Sequence, residues 1–163
     1  MTNTAETALS AIYHYETLGD LIGCSGQPKA DQFQLIQAAG YRAVINLALP
    51  DSDHAIADEG SIVTGLGMSY HHIPVKFDAP CITDLRLFNG VMQALQGQRV
   101  WVHCVVNARV SAFLFLHLHR LHGLPATAAR TQLLDKWEPQ MDDVWQEFLR
   151  TPKAAMLQPE AIE

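Results

Sequence analysis

Residues 99–121 limit the possible folds more than any other stretch of the chain. Residues 99–103 (RVWVH) read as a short apolar strand, and residues 110–121 carry Ala112, Phe113, Leu114, Phe115, Leu116 and Leu118, leaving that helix apolar nearly all round. A helix without a polar face belongs in the interior. A buried strand feeding a buried helix is the repeating unit of an α/β fold. The turn between them reads His103-Cys104-Val105-Val106-Asn107-Ala108-Arg109.

The rest of the chain repeats the alternation. Residues 30–39 place Phe33, Leu35, Ile36 and Ala39 at helical spacing between Pro28 and Gly40, the expected order of punctuation for a helix. Residues 42–48 (RAVINLA) and 69–75 (SYHHIPV) read as strands, with a helix broken by glycines over 56–66 between them. A helix over 83–96 lines up Leu85, Phe88, Val91, Met92 and Leu95, and further helices are predicted over 126–137 and 142–149. The expected architecture is α/β, a mainly parallel central sheet flanked by helices. It forms a single domain over 1–163, with its core at about 11–150 and a loose tail over 151–163.

Eleven Lys and Arg against 17 Asp and Glu give a net charge of −6. That balance argues against a nucleic-acid or anionic-membrane surface and leaves room only for a local positive pocket. Three cysteines with no CxxC pair suggest neither a zinc site nor a disulfide framework, and reduced thiols fit the cytoplasm. The chain begins without a basic, apolar leader and contains no run long enough to span a membrane. The expected partner is a phosphorylated small molecule or protein, with no cofactor and no metal.

Chemistry concentrates where strand turns into helix. In an open α/β sheet ligands bind in the crevice at the carboxyl ends of the strands. Main-chain N–H groups of a tight loop and a helix N-terminus there form a cradle for an oxyanion and favour the thiolate of a nearby cysteine. Cys104 is therefore the candidate nucleophile. Val105, Val106, Asn107, Ala108, Arg109 and Val110 are the candidate phosphate-binding residues.

This loop resembles that of the cysteine-dependent protein tyrosine and atypical dual-specificity phosphatases, HCxxGxxR followed by Ser or Thr. His103 and Cys104 match, Asn107 stands at the glycine position, and Ser111 falls at the Ser/Thr position. Arg109 comes five residues after Cys104, where that family has its arginine six residues after. The shorter span is similar to that of rhodanese-type sulfurtransferases. The similarity extends over about residues 22–121, through Cys24-Ser25-Gly26-Gln27-Pro28 and His71-His72-Ile73-Pro74-Val75-Lys76-Phe77-Asp78, which resemble stretches of bacterial phosphatase-like domains.

The resemblance implies attack by Cys104 on phosphorus, with Arg109 and the loop amides holding the equatorial oxygens. Asp78, or in its place Asp84, acts as general acid. His103 supports the loop and Ser111 the sulfur. It also leaves open a sulfur-handling enzyme with a Cys104 persulfide, and an oxyanion-binding module without turnover. Cys24 and Cys81 read as ordinary core thiols. His117, His119 and His122, like the adjacent His71 and His72, do not share one face as metal ligands must.

Overall fold

The computed structural model describes residues 2–157. Five strands, β1 (Glu16–Leu18), β2 (Ile22–Ser25), β3 (Ala43–Asn46), β4 (Ser69–His72) and β5 (Val100–His103), form one sheet in the order β1-β2-β5-β3-β4. β2, β5, β3 and β4 run parallel, and β1 closes one edge as the antiparallel arm of a hairpin. The helices are α1 (Thr2–Leu9), α2 (Phe33–Ala38), α3 (Glu59–Gly65), α4 (Ile82–Ala94), α5 (Ala108–Phe115), α6 (Gln132–Trp137), α7 (Asp143–Leu149) and α8 (Lys153–Leu157).

β3 and β5 are buried at every residue, as central parallel strands covered on both faces should be. Alternation along the strand then assigns side chains to faces. Ala43, Ile45, Val100 and Val102 pack with Leu85, Phe88, Phe113 and Trp145, the face of α4, α5 and α7. Val44 and Trp101 pack with Phe33, Ile36, Tyr41, Val63 and Met68, the face of α2 and α3.

β1 and β2 were not predicted. They are only three and four residues long, and β2 includes a glycine, so no period-2 apolar pattern announces them. Gly23 is required there, since a Cβ would lie 2.6 Å from both Trp101 Cε3 and Tyr41 Oη. The helix expected from Val110 begins at Ala108 and continues beyond Phe115 as a π-helical stretch over Leu116–Leu121. The helix expected over 126–137 is interrupted. Thr131 adopts an extended conformation and caps α6 by accepting from Leu134 N–H, leaving a 3₁₀ turn over Ala126–Ala128. Residues 153–157, placed in a loose tail, form α8 instead, because Met156 is buried and the Ala155 carbonyl accepts from the Arg86 guanidinium. Residues 158–163 of that tail lie outside the described residues.

Candidate active site

The loop after β5 lies at the carboxyl end of the parallel sheet, and its carbonyls are turned outward one after another. Cys104 O faces His103 Nδ1 at 3.3 Å, Val105 O accepts from Gln27 N–H at 3.0 Å, and Val106 O accepts from His14 Nδ1 at 2.9 Å. In a trans peptide the N–H points opposite to the C=O. The N–H groups of Val105, Val106 and Asn107 are thus turned to the other side of the loop. Those of Ala108, Arg109 and Val110 are the orphan donors of the first turn of α5. Among the described residues none of these six N–H groups donates to a protein acceptor.

Asn107 supplies the turn. Its φ is 71°, in the left-handed region, which Asn tolerates better than most residues in place of glycine. Its fully buried side chain donates from Nδ2 to His14 O at 2.9 Å and to Cys24 Sγ at 3.6 Å. Gly26 lets β2 come close behind the loop, because a Cβ there would lie 2.5 Å from Val105 O.

Arg109 is the only Lys or Arg that is buried among the described residues, and no carboxylate pairs with it. Its one side-chain hydrogen bond there runs from Nη1 to Val75 O at 2.8 Å, and its guanidinium lies 5.9 Å from the Phe77 ring centroid. Nε and Nη2 have no protein acceptor among the described residues. That edge of the fork can hold an oxyanion with two parallel bonds. Cys104 is fully buried, within the apolar cluster on the α4 and α5 face.

Behind the loop lies a polar network built around Glu59, which is 3% exposed. Its Oε1 accepts from Gln27 Nε2 at 2.6 Å, and its Oε2 from His103 Nε2 at 2.8 Å, Tyr70 Oη at 2.8 Å and Asn46 Nδ2 at 3.2 Å. Burial pushes the Glu59 pKa up, but the bond from His103 and its charge, with those from Gln27 and Tyr70, outweigh it and hold the carboxyl below its ordinary value. Both groups facing the His103 ring, the carboxylate and Cys104 O, are acceptors.

No family model matches the chain. In sequence, 96 residues, 56% of the chain, are 28% identical to a "Beta-lactamase hydrolase-like protein" of Xylella fastidiosa, and the match covers 22% of that relative's length. In structure, the "Putative phosphatase (DUF442)" of Shewanella putrefaciens CN-32 superposes with a TM-score of 0.79 at 32% identity, over 88% of this chain and 93% of that one. The chain belongs to the DUF442 family. The wider fold is shared with Tk-PTP, at a TM-score of 0.67 and 18% identity over 86% of this chain and 96% of that one.

Within this DUF442 protein the expected site residues fall unevenly. Residues 103–111 lie together on the loop and the start of α5. Asp78 is exposed, one residue beyond Phe77, whose carbonyl accepts from Trp145 Nε1 at 2.7 Å and whose ring packs on Trp137 and Trp145. That segment is also where Arg109 is anchored. Asp84 sits in the first turn of α4, where a carboxylate complements the helix dipole. Ser111, expected at the sulfur, accepts from Thr131 Oγ1 at 2.7 Å, and no hydrogen bond from it to Cys104 is present among the described residues.

Sequence reasoning missed Glu59, Gln27, Thr131 and His14. An acidic residue before the apolar positions of α3 looks like an ordinary first-turn carboxylate, and nothing in its spacing signals burial. Among the described residues no group of three or more His, Cys, Asp or Glu could hold a metal, and no helix is long and apolar enough to cross a membrane.

Proposed function

We propose that the protein hydrolyses a phosphomonoester through a cysteinyl-phosphate at Cys104. The observation that supports this best is the run of six N–H groups, with no protein acceptor among the described residues, beside a buried guanidinium that no described carboxylate pairs. A buried unpaired charge is costly, and a bound phosphoryl group offsets that cost. In the first step Cys104 Sγ attacks phosphorus and the P–O ester bond breaks, with the departing oxygen taking its proton from Asp78. The loop amides and Arg109 hold the equatorial oxygens as charge develops. In the second step water, giving its proton to Asp78, attacks phosphorus, the S–P bond breaks, and phosphate leaves as Cys104 is restored. No cofactor takes part.

The groove beside the loop suggests the rest of the substrate. It has a volume of about 680 Å³, is lined by Tyr13, Pro28, Ile56, Val105 and Val106, and carries one lysine, Lys29, against one carboxylate, Asp53. Such walls, mostly apolar with Lys29, Asp53 and His54 among them, suit a phosphoryl group on an apolar carrier.

Purified protein should release p-nitrophenol from p-nitrophenyl phosphate, and Cys104→Ser should abolish this while phosphate still raises the thermal midpoint. Absence of activity above the Cys104→Ser background from pH 5 to 8 refutes hydrolysis. The complete burial of Cys104 favours a second reading, an oxyanion-binding module without turnover. Phosphate stabilisation without hydrolysis in the same assay would select it.

A further inference from the structure

We propose that His14 is a positioning residue for the oxyanion loop, acting through the Val106–Asn107 peptide. The inference rests on the reading of residues 104–110 as an oxyanion cradle and adds a residue from the far end of the chain to it. His14 and Asn107 lock to each other in both directions. The His14 ring donates from Nδ1 to Val106 O at 2.9 Å, and Asn107 Nδ2 donates back to His14 O at 2.9 Å. A carbonyl only accepts, so Nδ1 carries the proton in this contact. Holding Val106 O outward directs the N–H of Asn107 to the other side, among the donors that receive the anion.

Three observations separate this role from a contribution to the fold. The His14 ring is exposed, so it adds little to the core. The neighbouring backbone is already fixed, with Gly26 N–H donating to Tyr13 O at 2.8 Å and Tyr15 stacked on buried Trp101 at 5.4 Å. His14 itself has a φ of 54°, in the left-handed region that few residues other than Gly enter and that Asn, Asp and His enter more readily than most. A left-handed turn carrying an exposed ring that reaches 92 residues along the chain to one loop carbonyl fits pre-organisation of that loop.

The same φ dictates the variants. His14→Asn keeps both a residue suited to the left-handed region and a side-chain N–H near the place of Nδ1. His14→Gly keeps the backbone conformation and removes the donor. Each is compared with the wild type for tungstate affinity by calorimetry, for steady-state p-nitrophenyl phosphate hydrolysis, and for its thermal midpoint without anion. His14→Gly should weaken tungstate binding and lower kcat/KM by about fivefold, the scale of one lost hydrogen bond. His14→Asn should stay within about twofold on that scale. The anion-free midpoints should agree with that of the wild type. A His14→Gly protein that binds tungstate as well as the wild type overturns the inference, as does a loss of affinity matched by an equal loss of anion-free stability. A wild type that binds no tungstate and hydrolyses nothing removes the cradle reading itself, which is a different result.

Discussion

Replacing Glu59 with Gln tests whether the buried network holds the loop from behind. The carboxylate takes four donors, three of them on Oε2, and it faces a His103 ring with no exposed surface. Glutamine offers one oxygen and one NH2 group. Whichever way the amide lies, at least one donor meets another donor. A buried donor left unsatisfied costs about 1–3 kcal/mol, and the retained bonds to a neutral oxygen are weaker than those to a carboxylate. We expect a loss of about 3 kcal/mol at pH 7, or roughly 6–12 °C in Tm for a domain of this size. Urea unfolding followed by tryptophan fluorescence measures it.

The pH dependence gives the sign. The folded-state pKa of Glu59 lies below its ordinary value, so its stabilisation is complete above the ordinary carboxylate range and is lost as pH falls through the folded pKa. The gap between wild type and variant should therefore narrow below about pH 4.5. Combining Glu59→Gln with His103→Asn should cost less than the sum of the two single changes, because the two residues share one buried hydrogen bond. A Glu59→Gln loss under about 1 kcal/mol, or strict additivity with His103→Asn, would refute the network as a positioning element.

Three further outcomes are expected. Arg109→Met should abolish phosphate-induced stabilisation yet change anion-free stability by no more than about 1 kcal/mol, since it exchanges a buried unpaired charge for an apolar chain; an unchanged phosphate shift in a thermal melt would show that the guanidinium does not meet the anion. Asp78→Asn should slow turnover of phenyl phosphate by about 10²–10⁴ but that of p-nitrophenyl phosphate far less, because the better leaving group needs no proton; equal effects on both in steady-state assays would remove Asp78 as general acid. Burial, with the nearby His122, lowers the His117 pKa to about 4. The unfolded chain therefore binds the extra proton first, and stability should fall by up to about 3 kcal/mol as pH drops from 6.5 to 4. His117→Leu should flatten that slope in urea titrations, and an unaltered slope would point to other groups.

The sheet was legible where residues had to be apolar on both faces. β3 and β5 announce themselves as unbroken apolar runs, and α5 as a helix with no polar side, because central strands and a covered helix leave little choice of residue. β1 and β2 were not legible. A strand of three or four residues at the sheet edge is held by its register with a neighbour, and Glu16, Gly23 and Cys24 carry no pattern that a pairing partner does not supply. The candidate site divides in the same way. The loop residues 103–111 are contiguous, so the sequence groups them. Glu59, Gln27, His14 and Thr131 reach the loop or Ser111 only through the fold, from 20 or more residues away, and each looks like a common surface residue on its own.

The spacing of the arginine acquires a physical reading from the start of α5. One helical residue is a rotation of about 100°, so positions 109 and 110 cannot both face the loop. Asn107 enters the left-handed region, and Ala108 is the first residue of α5. Val110, at the arginine place of the phosphatase loop that this one resembles, is fully buried and packed in the apolar cluster with Leu85 and Phe113. Arg109, one step round, reaches Val75 O and the face of Phe77. A guanidinium at position 110 would lie in hydrocarbon, whereas at 109 it keeps two nitrogens free beside the first turn of the helix. The shorter span to the arginine and the left-handed Asn107 are then two parts of one arrangement, in which Asn107 holds the glycine place of the loop and the guanidinium stands one step earlier round the helix.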